Sequence, residues 1–130
     1  MTQKITVIRG DGIGPEIMDA TLFVLDQLKT GLEYEDADAG LVALEKHGDL
    51  MPAVTLESIA RNKVALKSPL TTPVGGGFTS INVSLRRHFD LYANVRPAHT
   101  FPNTKSRFDN VDLITVRENT EGCLLYTSLS

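Results

Sequence analysis

A layered α/β fold is what this chain predicts, and three observations predict it. A short β-branched run, KITVI at residues 4–8, leads directly into a glycine loop and then into a helix opened by proline. Further short apolar runs at residues 64–66 and 111–116 alternate with stretches of helical spacing. Composition agrees: 130 residues, 42% hydrophobic and 22% charged, are ordinary for a soluble globular protein and sufficient for one modest domain with a real core. Strands that alternate with helices pack as layers.

Each element follows from local chemistry. Residues 4–8 read as a buried first strand ending at a glycine. Gly10, Gly12 and Gly14 form the loop, and Pro15 suits the first turn of a helix because its missing N–H costs nothing there. Ile17, Thr21, Leu25 and Leu28 recur at helical spacing as the expected packing face, and Gly31 is placed to stop the helix. Residues 34–39 predict a second strand, polar through Glu35, Asp36 and Asp38 and therefore near a sheet edge. Residues 41–46 predict a short helix ending at His47 and Gly48. Pro52 opens another, with Val54, Leu56, Ile59 and Ala60 available for packing. Residues 64–66 predict a short buried strand, 101–109 a connection and 111–116 a further strand. There is no internal repeat and no low-complexity tract.

Charge and cysteine content narrow the function classes. A net charge of -3 and a pI near 5.5 argue against nucleic acid as a partner, since such binders carry a basic excess. The single cysteine, Cys123, excludes an internal disulfide framework and makes a reducing cytoplasm the default. The N-terminal residues hold no signal-peptide apolar region, and no stretch approaches the ~20 apolar residues of a membrane span.

The segment that organises the chain is KSPLTTPVGGGFTSINVSLRRHFDLYANVRP, residues 67–97. It combines short polar donors with arginines, a mixture suited to a small substrate bearing several carboxylates. Within it, Thr79 or Ser80 is placed to cap a helix whose positive end favours an anion. Asn82 and Arg86 lie four apart, on one helix face. Arg96 and Arg117, each at the end of an expected strand, are placed to converge on the same anion. The bland alternative is that Ser80 is only a cap and that the arginines are solvated or ion-paired, as surface arginines usually are. The first glycine loop is spaced G-x-G-x-G, unlike the G-x-G-x-x-G of a dinucleotide-binding Rossmann unit, and it lacks the Lys-Ser/Thr of a phosphate-binding loop. Its pattern alone leaves it open between a strand–helix turn and a ligand loop, and Gly75, Gly76 and Gly77 are equally open. His47, His88 and His99 show no metal-ligand spacing, Glu118 and Glu121 read as a solvated turn, and Cys123 has no thiolate-stabilising neighbour.

Three motifs in order, GDGIGPEI, the 67–97 segment and VRENTEG, together resemble the N-terminal part of the β-decarboxylating dehydrogenases over residues 4–122. This family acts on isocitrate, isopropylmalate, homoisocitrate and tartrate. Ser80-x-Asn82 is similar to the isocitrate type, where isopropylmalate enzymes carry an acidic and an aliphatic residue. The resemblance implies an α/β, isopropylmalate-dehydrogenase-like two-domain fold, unrelated to the Rossmann type, of which only the N-terminal part is present. Residues 1–99 would belong to the large domain and 100–130 would start the small one. It implies that Ser80, Asn82, Arg86, Arg96 and Arg117 bind the substrate carboxylates, and that Ile13, Thr72 and Asn82 face the nicotinamide cofactor. The reaction implied is metal-dependent oxidative decarboxylation of isocitrate to 2-oxoglutarate, with NAD (NADP not being excluded) and Mg²⁺ or Mn²⁺. A homodimer or higher oligomer is implied, in the bacterial cytoplasm or, in a eukaryote, the mitochondrial matrix. The alternatives within reach are isopropylmalate or homoisocitrate dehydrogenase, a non-catalytic isocitrate-binding regulatory subunit, and a stand-alone carboxylate-binding module.

The departures are specific. Ser68 stands where many members have glycine. Leu124 occupies the position, seven after Arg117, of the family's catalytic tyrosine, and Tyr126 is two residues off. The residues from Cys123 onward match no family pattern, and the family's catalytic lysine and metal-binding aspartates would lie beyond Ser130. The expectation is therefore an N-terminal fragment without catalytic or metal-binding residues of its own, inactive and weakly folded when alone.

Overall fold

The structure, a computed structural model, describes residues 2–72 and 79–120. The triple glycine at 75–77, Glu121, Cys123, Leu124 and Tyr126 lie outside the described residues. Two compact units are present, Met1–Ile81 and Asn82–Ser130.

The first unit runs β1 (Gln3–Ile8), α1 (Gly14–Gln27), β2 (Leu32–Ala37), α2 (Leu41–His47), α3 (Ala53–Asn62) and β3 (Ala65–Lys67). Both neighbours of β1 pair with it in parallel, Thr6 facing Glu35 on one side and Ala65 on the other, so the strand order is β2-β1-β3. That order carries the chain out to β2 and back across β1 to β3. Right-handed crossovers then require α1 and α3 to cover opposite faces of the sheet. Alternation along β1 meets the requirement. Ile5 and Val7 form a core with Met18 and Leu22 of α1, whereas Thr6 bonds to Ser58 and Asn62 of α3.

Two expected packing faces are corrected by the structure. On α1 the buried residues are Gly14, Met18 and Leu22, with Leu25 partly buried, while Ile17 is 42% and Leu28 66% exposed. The reason lies at Gly14. A Cβ there would overlap the Arg9 carbonyl, so the helix is drawn closest to the loop along the stripe that begins at this glycine. On α3 the buried residues are Thr55, Ser58 and Asn62, while Val54 is exposed. Thr6, wholly buried in the middle of β1, demands hydroxyl and amide partners, and α3 turns its polar side inward to supply them. A third correction concerns β3, expected to be buried: Ala65 and Lys67 are exposed and only Leu66 is partly buried, because β3 pairs on one side only among the described residues.

Helix ends follow their sequence signals. Pro15 opens α1, Gly48 ends α2 in the left-handed region at φ 73°, and Gly31 follows α1 at φ 70°. The polar edge expected near residue 35 is β2.

In the second unit, α4 (Ile81–His88), which begins at the last residue of the first unit, is followed by a turn in which the Leu91 amide donates to the Arg86 carbonyl (2.8 Å). β4 (Ala93–His99) and β5 (Asp112–Glu118) then form an antiparallel ribbon in which Arg96 faces Thr115 and Asn94 faces Arg117. Asn119 fastens its base, donating to the Tyr92 carbonyl (2.9 Å) and, from its side chain, to that of Leu91 (3.3 Å). The expected domain boundary after His99 falls at the tip of this ribbon, while the compact units part between Ile81 and Asn82.

Candidate functional site

In open parallel sheets, ligands bind beyond the carboxyl ends of strands where the strand order reverses. Here that point lies between β1 and β3. The chain leaves β1 as the glycine loop carrying Ile13, and leaves β3 as the segment from Ser68 to Thr72. These loops are locked together. The Ser68 amide donates to the Ile8 carbonyl (3.0 Å), the Asp11 amide to the Pro69 carbonyl (3.0 Å), and the Ser68 hydroxyl to the Gly14 carbonyl (3.1 Å). Gly10, at φ 74°, allows the close approach, since a Cβ there would overlap the Pro69 carbonyl. Ser68, expected to be tolerated unless its backbone needed a positive φ, is not among the positive-φ residues and uses its hydroxyl as a buried tie.

Asp11 is the residue that sequence reasoning missed. Its carboxylate is buried and accepts three backbone amides: Leu41 (3.2 Å) and Thr71 (2.7 Å) on Oδ2, Val42 (3.2 Å) on Oδ1. Leu41 and Val42 open α2, so the charge also meets the positive end of that helix. An aspartate between two glycines signals a turn, but nothing in the sequence ties position 11 to positions 41 and 71.

Two of the three expected cofactor-facing residues sit on these loops. Ile13 is the N-cap of α1 and 66% exposed, and Thr72 is half-buried. The Thr72 hydroxyl accepts the Ile81 amide (3.4 Å) at the first residue of α4. Asn82 and Arg86 follow at one-turn spacing on α4. On the ribbon, the pairs Arg96–Thr115 and Asn94–Arg117 lie two residues apart, so all four side chains leave the same face. Arg96 Nε donates to Asn94 Oδ1 (3.3 Å), which orients its guanidinium along that face. Arg96 and Arg117 are thus brought side by side, each exposed.

Several charges beside two other depressions are internally matched. A groove of about 370 Å³ beside β2 and α3 is lined by Glu35, Asp38, His47, Ser58 and Arg61 among others. Arg61 pairs with Glu35, and Lys46 (3.0 Å) and His47 (3.3 Å) contact Asp38. The Ser58 hydroxyl holds the Glu35 carboxyl below its ordinary range against partial desolvation, with Asn62, Arg61 and Lys4 adding to the effect. Partial burial raises Asp38, but Lys46 and His47 outweigh it and leave that carboxyl low as well. A smaller crevice of about 140 Å³ borders the glycine loop at Arg9, Gly10 and Pro15. Arg9 there is committed to Asp36 and Asp19.

The first unit is an open parallel α/β layer with two tied loops at the carboxyl ends of β1 and β3, and the chain continues into a ribbon that carries two arginines on one face. The chain belongs to the isocitrate/isopropylmalate dehydrogenase family, whose model matches residues 4–128. An isocitrate dehydrogenase from Methylococcus capsulatus has a similar structure, with TM-score 0.84 and 52% identity over 94% of this chain and 36% of that one. An NADP isocitrate dehydrogenase of Thermus thermophilus is 49% identical over 90% of this chain and 24% of its own length. A mitochondrial NAD isocitrate dehydrogenase catalytic subunit of Arabidopsis thaliana is 45% identical over 90% and 31%, and a chloroplastic 3-isopropylmalate dehydrogenase of Solanum tuberosum 43% over 92% and 33%. The chain thus spans about a third or less of the length of these relatives.

Proposed function

We propose that this chain supplies the substrate-carboxylate and nicotinamide-facing portion of an NAD-linked isocitrate dehydrogenase. The observation that carries the reading is the set Ser80, Asn82 and Arg86 around the start of α4, taken with Arg96 and Arg117 on one ribbon face. A hydroxyl and an amide accept or donate hydrogen bonds to a carboxylate, which an acidic side chain would repel, while arginines bind it bidentately. On this reading Ser80 and Asn82 hold the distal carboxylate of isocitrate, and Arg86, Arg96 and Arg117 hold the others. Thr72 and Asn82 face the nicotinamide end of the cofactor, which when bound accepts a hydride from the substrate carbinol, and Ile13 lines the dinucleotide site. Among the described residues no group of three or more His, Cys, Asp or Glu side chains is arranged to hold a metal ion. We place residues 1–99 in the large domain, and the protein in the bacterial cytoplasm or mitochondrial matrix as a homodimer or larger assembly.

The test is a chimera in which residues 4–122 replace the matching segment of the Methylococcus capsulatus enzyme. Turnover of isocitrate, isopropylmalate and homoisocitrate with NAD and Mn²⁺ is compared. Isocitrate is expected to have the highest kcat/KM, and Ser80→Glu to lower it by about a hundredfold through like-charge repulsion. The potato relative favours a second reading, isopropylmalate, and faster turnover of that acid by the chimera would replace the first. Isocitrate binding without turnover of any acid would instead favour a regulatory subunit. The 130-residue chain by itself is expected to give no steady NADH production.

A further inference from the structure

We propose that Asp11 is a positioning residue for Thr72, an inference that rests on the reading of Thr72 as nicotinamide-facing. Its carboxylate is shared between two segments far apart in sequence, the first turn of α2 at Leu41 and Val42 and the loop amide of Thr71. The shortest of its three bonds, 2.7 Å, is the one to Thr71. The next residue's hydroxyl accepts the Ile81 amide, so a continuous run of bonds links the start of α2 through Asp11 to the first residue of α4. The carboxylate is fixed from behind by Gly40, where φ is 82° and a Cβ would overlap Asp11 Oδ2. With both oxygens bonded to backbone amides, the carboxylate ties the Thr71 amide to the start of α2. A loop that must present a hydroxyl to a nucleotide gains from such fixing, because ordering it at the moment of binding would weaken affinity.

The experiment uses NMR of the 130-residue chain, with amide hydrogen exchange as the first readout and titration with nicotinamide mononucleotide as the second. Asp11→Ala is expected to speed exchange at Thr71 by about tenfold or more, the loss of one charge-assisted bond. Asp11→Asn, which keeps one acceptor oxygen and the same shape, falls between Asp11→Ala and the unaltered chain. Gly40→Ala, with Asp11 intact, is expected to speed Thr71 exchange as well, through displacement of the carboxylate. The amides of Ile5 and Val7 keep their protection in Asp11→Asn and Gly40→Ala, which separates positioning from global unfolding. Shifts induced at Thr72 by the mononucleotide shrink in all three variants. Loss of protection at Leu41 and Val42 with Thr71 unchanged would overturn the proposal and leave Asp11 a helix cap only. If Thr71 responds as expected but the unaltered chain shows no mononucleotide shift at Thr72, the positioning of the loop stands and the nicotinamide-facing reading of Thr72 fails.

Discussion

Lys63 sits at φ 66° in the C-cap of α3, where its amide donates to the Ile59 carbonyl (2.8 Å). A side chain with a Cβ is strained in that region and glycine is not, so Lys63→Gly is expected to stabilise the fold by about 0.5–1 kcal/mol, read as a higher midpoint in urea. Glu35 makes a different single-residue prediction. Its carboxyl is lowered first by the Ser58 hydroxyl, so the folded value lies below the unfolded one. The unfolded state then binds more protons between the two values, and stability rises with pH across that window. The contribution is fully present above the ordinary value of 4.5 and is lost as pH falls through the lowered one. Melting followed from pH 7 to pH 3 should therefore show a steeper acid loss in the unaltered chain than in Glu35→Gln; equal slopes would remove Glu35 from the account. At this scale the sequence was partly legible. Ser80, Asn82 and the arginines are candidates on residue type and spacing alone, whereas the work of Asp11 depends on amides that only the folded chain brings to it.

Thr6, Ser58, Asn62 and Glu35 form a hydrogen-bond run between β1, α3 and β2 whose direction can be assigned. Ser58 donates its one proton to Glu35 Oε1 (2.7 Å), so in its bond with Thr6 (2.8 Å) it must accept. Thr6 therefore donates to Ser58 and accepts from Asn62 Nδ2 (2.9 Å), and the run ends on a carboxylate. Thr6→Val keeps the shape of the side chain while removing both roles in a wholly buried position, so a loss of about 2 kcal/mol is expected in denaturant unfolding. A Thr6→Val variant as stable as the original would mean that the run contributes nothing. Element existence was legible throughout the first unit, since Pro15, Gly31, Gly48 and Pro52 mark their boundaries by backbone chemistry. Facing was not. Helix α1 carries two stripes of apolar spacing, and the close approach at Gly14 selects the Met18 and Leu22 stripe over that of Ile17 and Leu28. Helix α3 turns a polar stripe inward because its partner on β1 is a threonine.

Each compact unit by itself leaves apolar surface open among its described residues. On α1 the second stripe, Ile17, Val24 and Leu28, is 42%, 56% and 66% exposed. On the ribbon, Val95 faces Val116 and Ile114 lies two residues further along β5, all on the face opposite Arg96 and 60% or more exposed. A two-stranded ribbon with neither face covered is marginal in water, and a helix carrying a second apolar stripe offers a surface for association. Covering what remains exposed of Ile17, Val24 and Leu28 on both copies of a symmetric pair would supply roughly 5–10 kcal/mol in total. Ordering two molecules against each other costs an amount of the same size, about 4–15 kcal/mol. The balance predicts weak, concentration-dependent self-association rather than a tight dimer of the 130-residue chain. Sedimentation velocity across a hundredfold range of concentration is expected to show a rising mean mass, and Val24→Lys to reduce it without loss of the Ile5, Val7, Met18 and Leu22 core. Amide exchange should also divide the molecule, with β4 and β5 exchanging before β1, whose residues Ile5 to Ile8 are buried on both faces of a paired strand. A single species at every concentration that melts in one sharp transition would show that these exposed stripes do not govern the chain's behaviour, and that each unit is stable with its apolar surface in water.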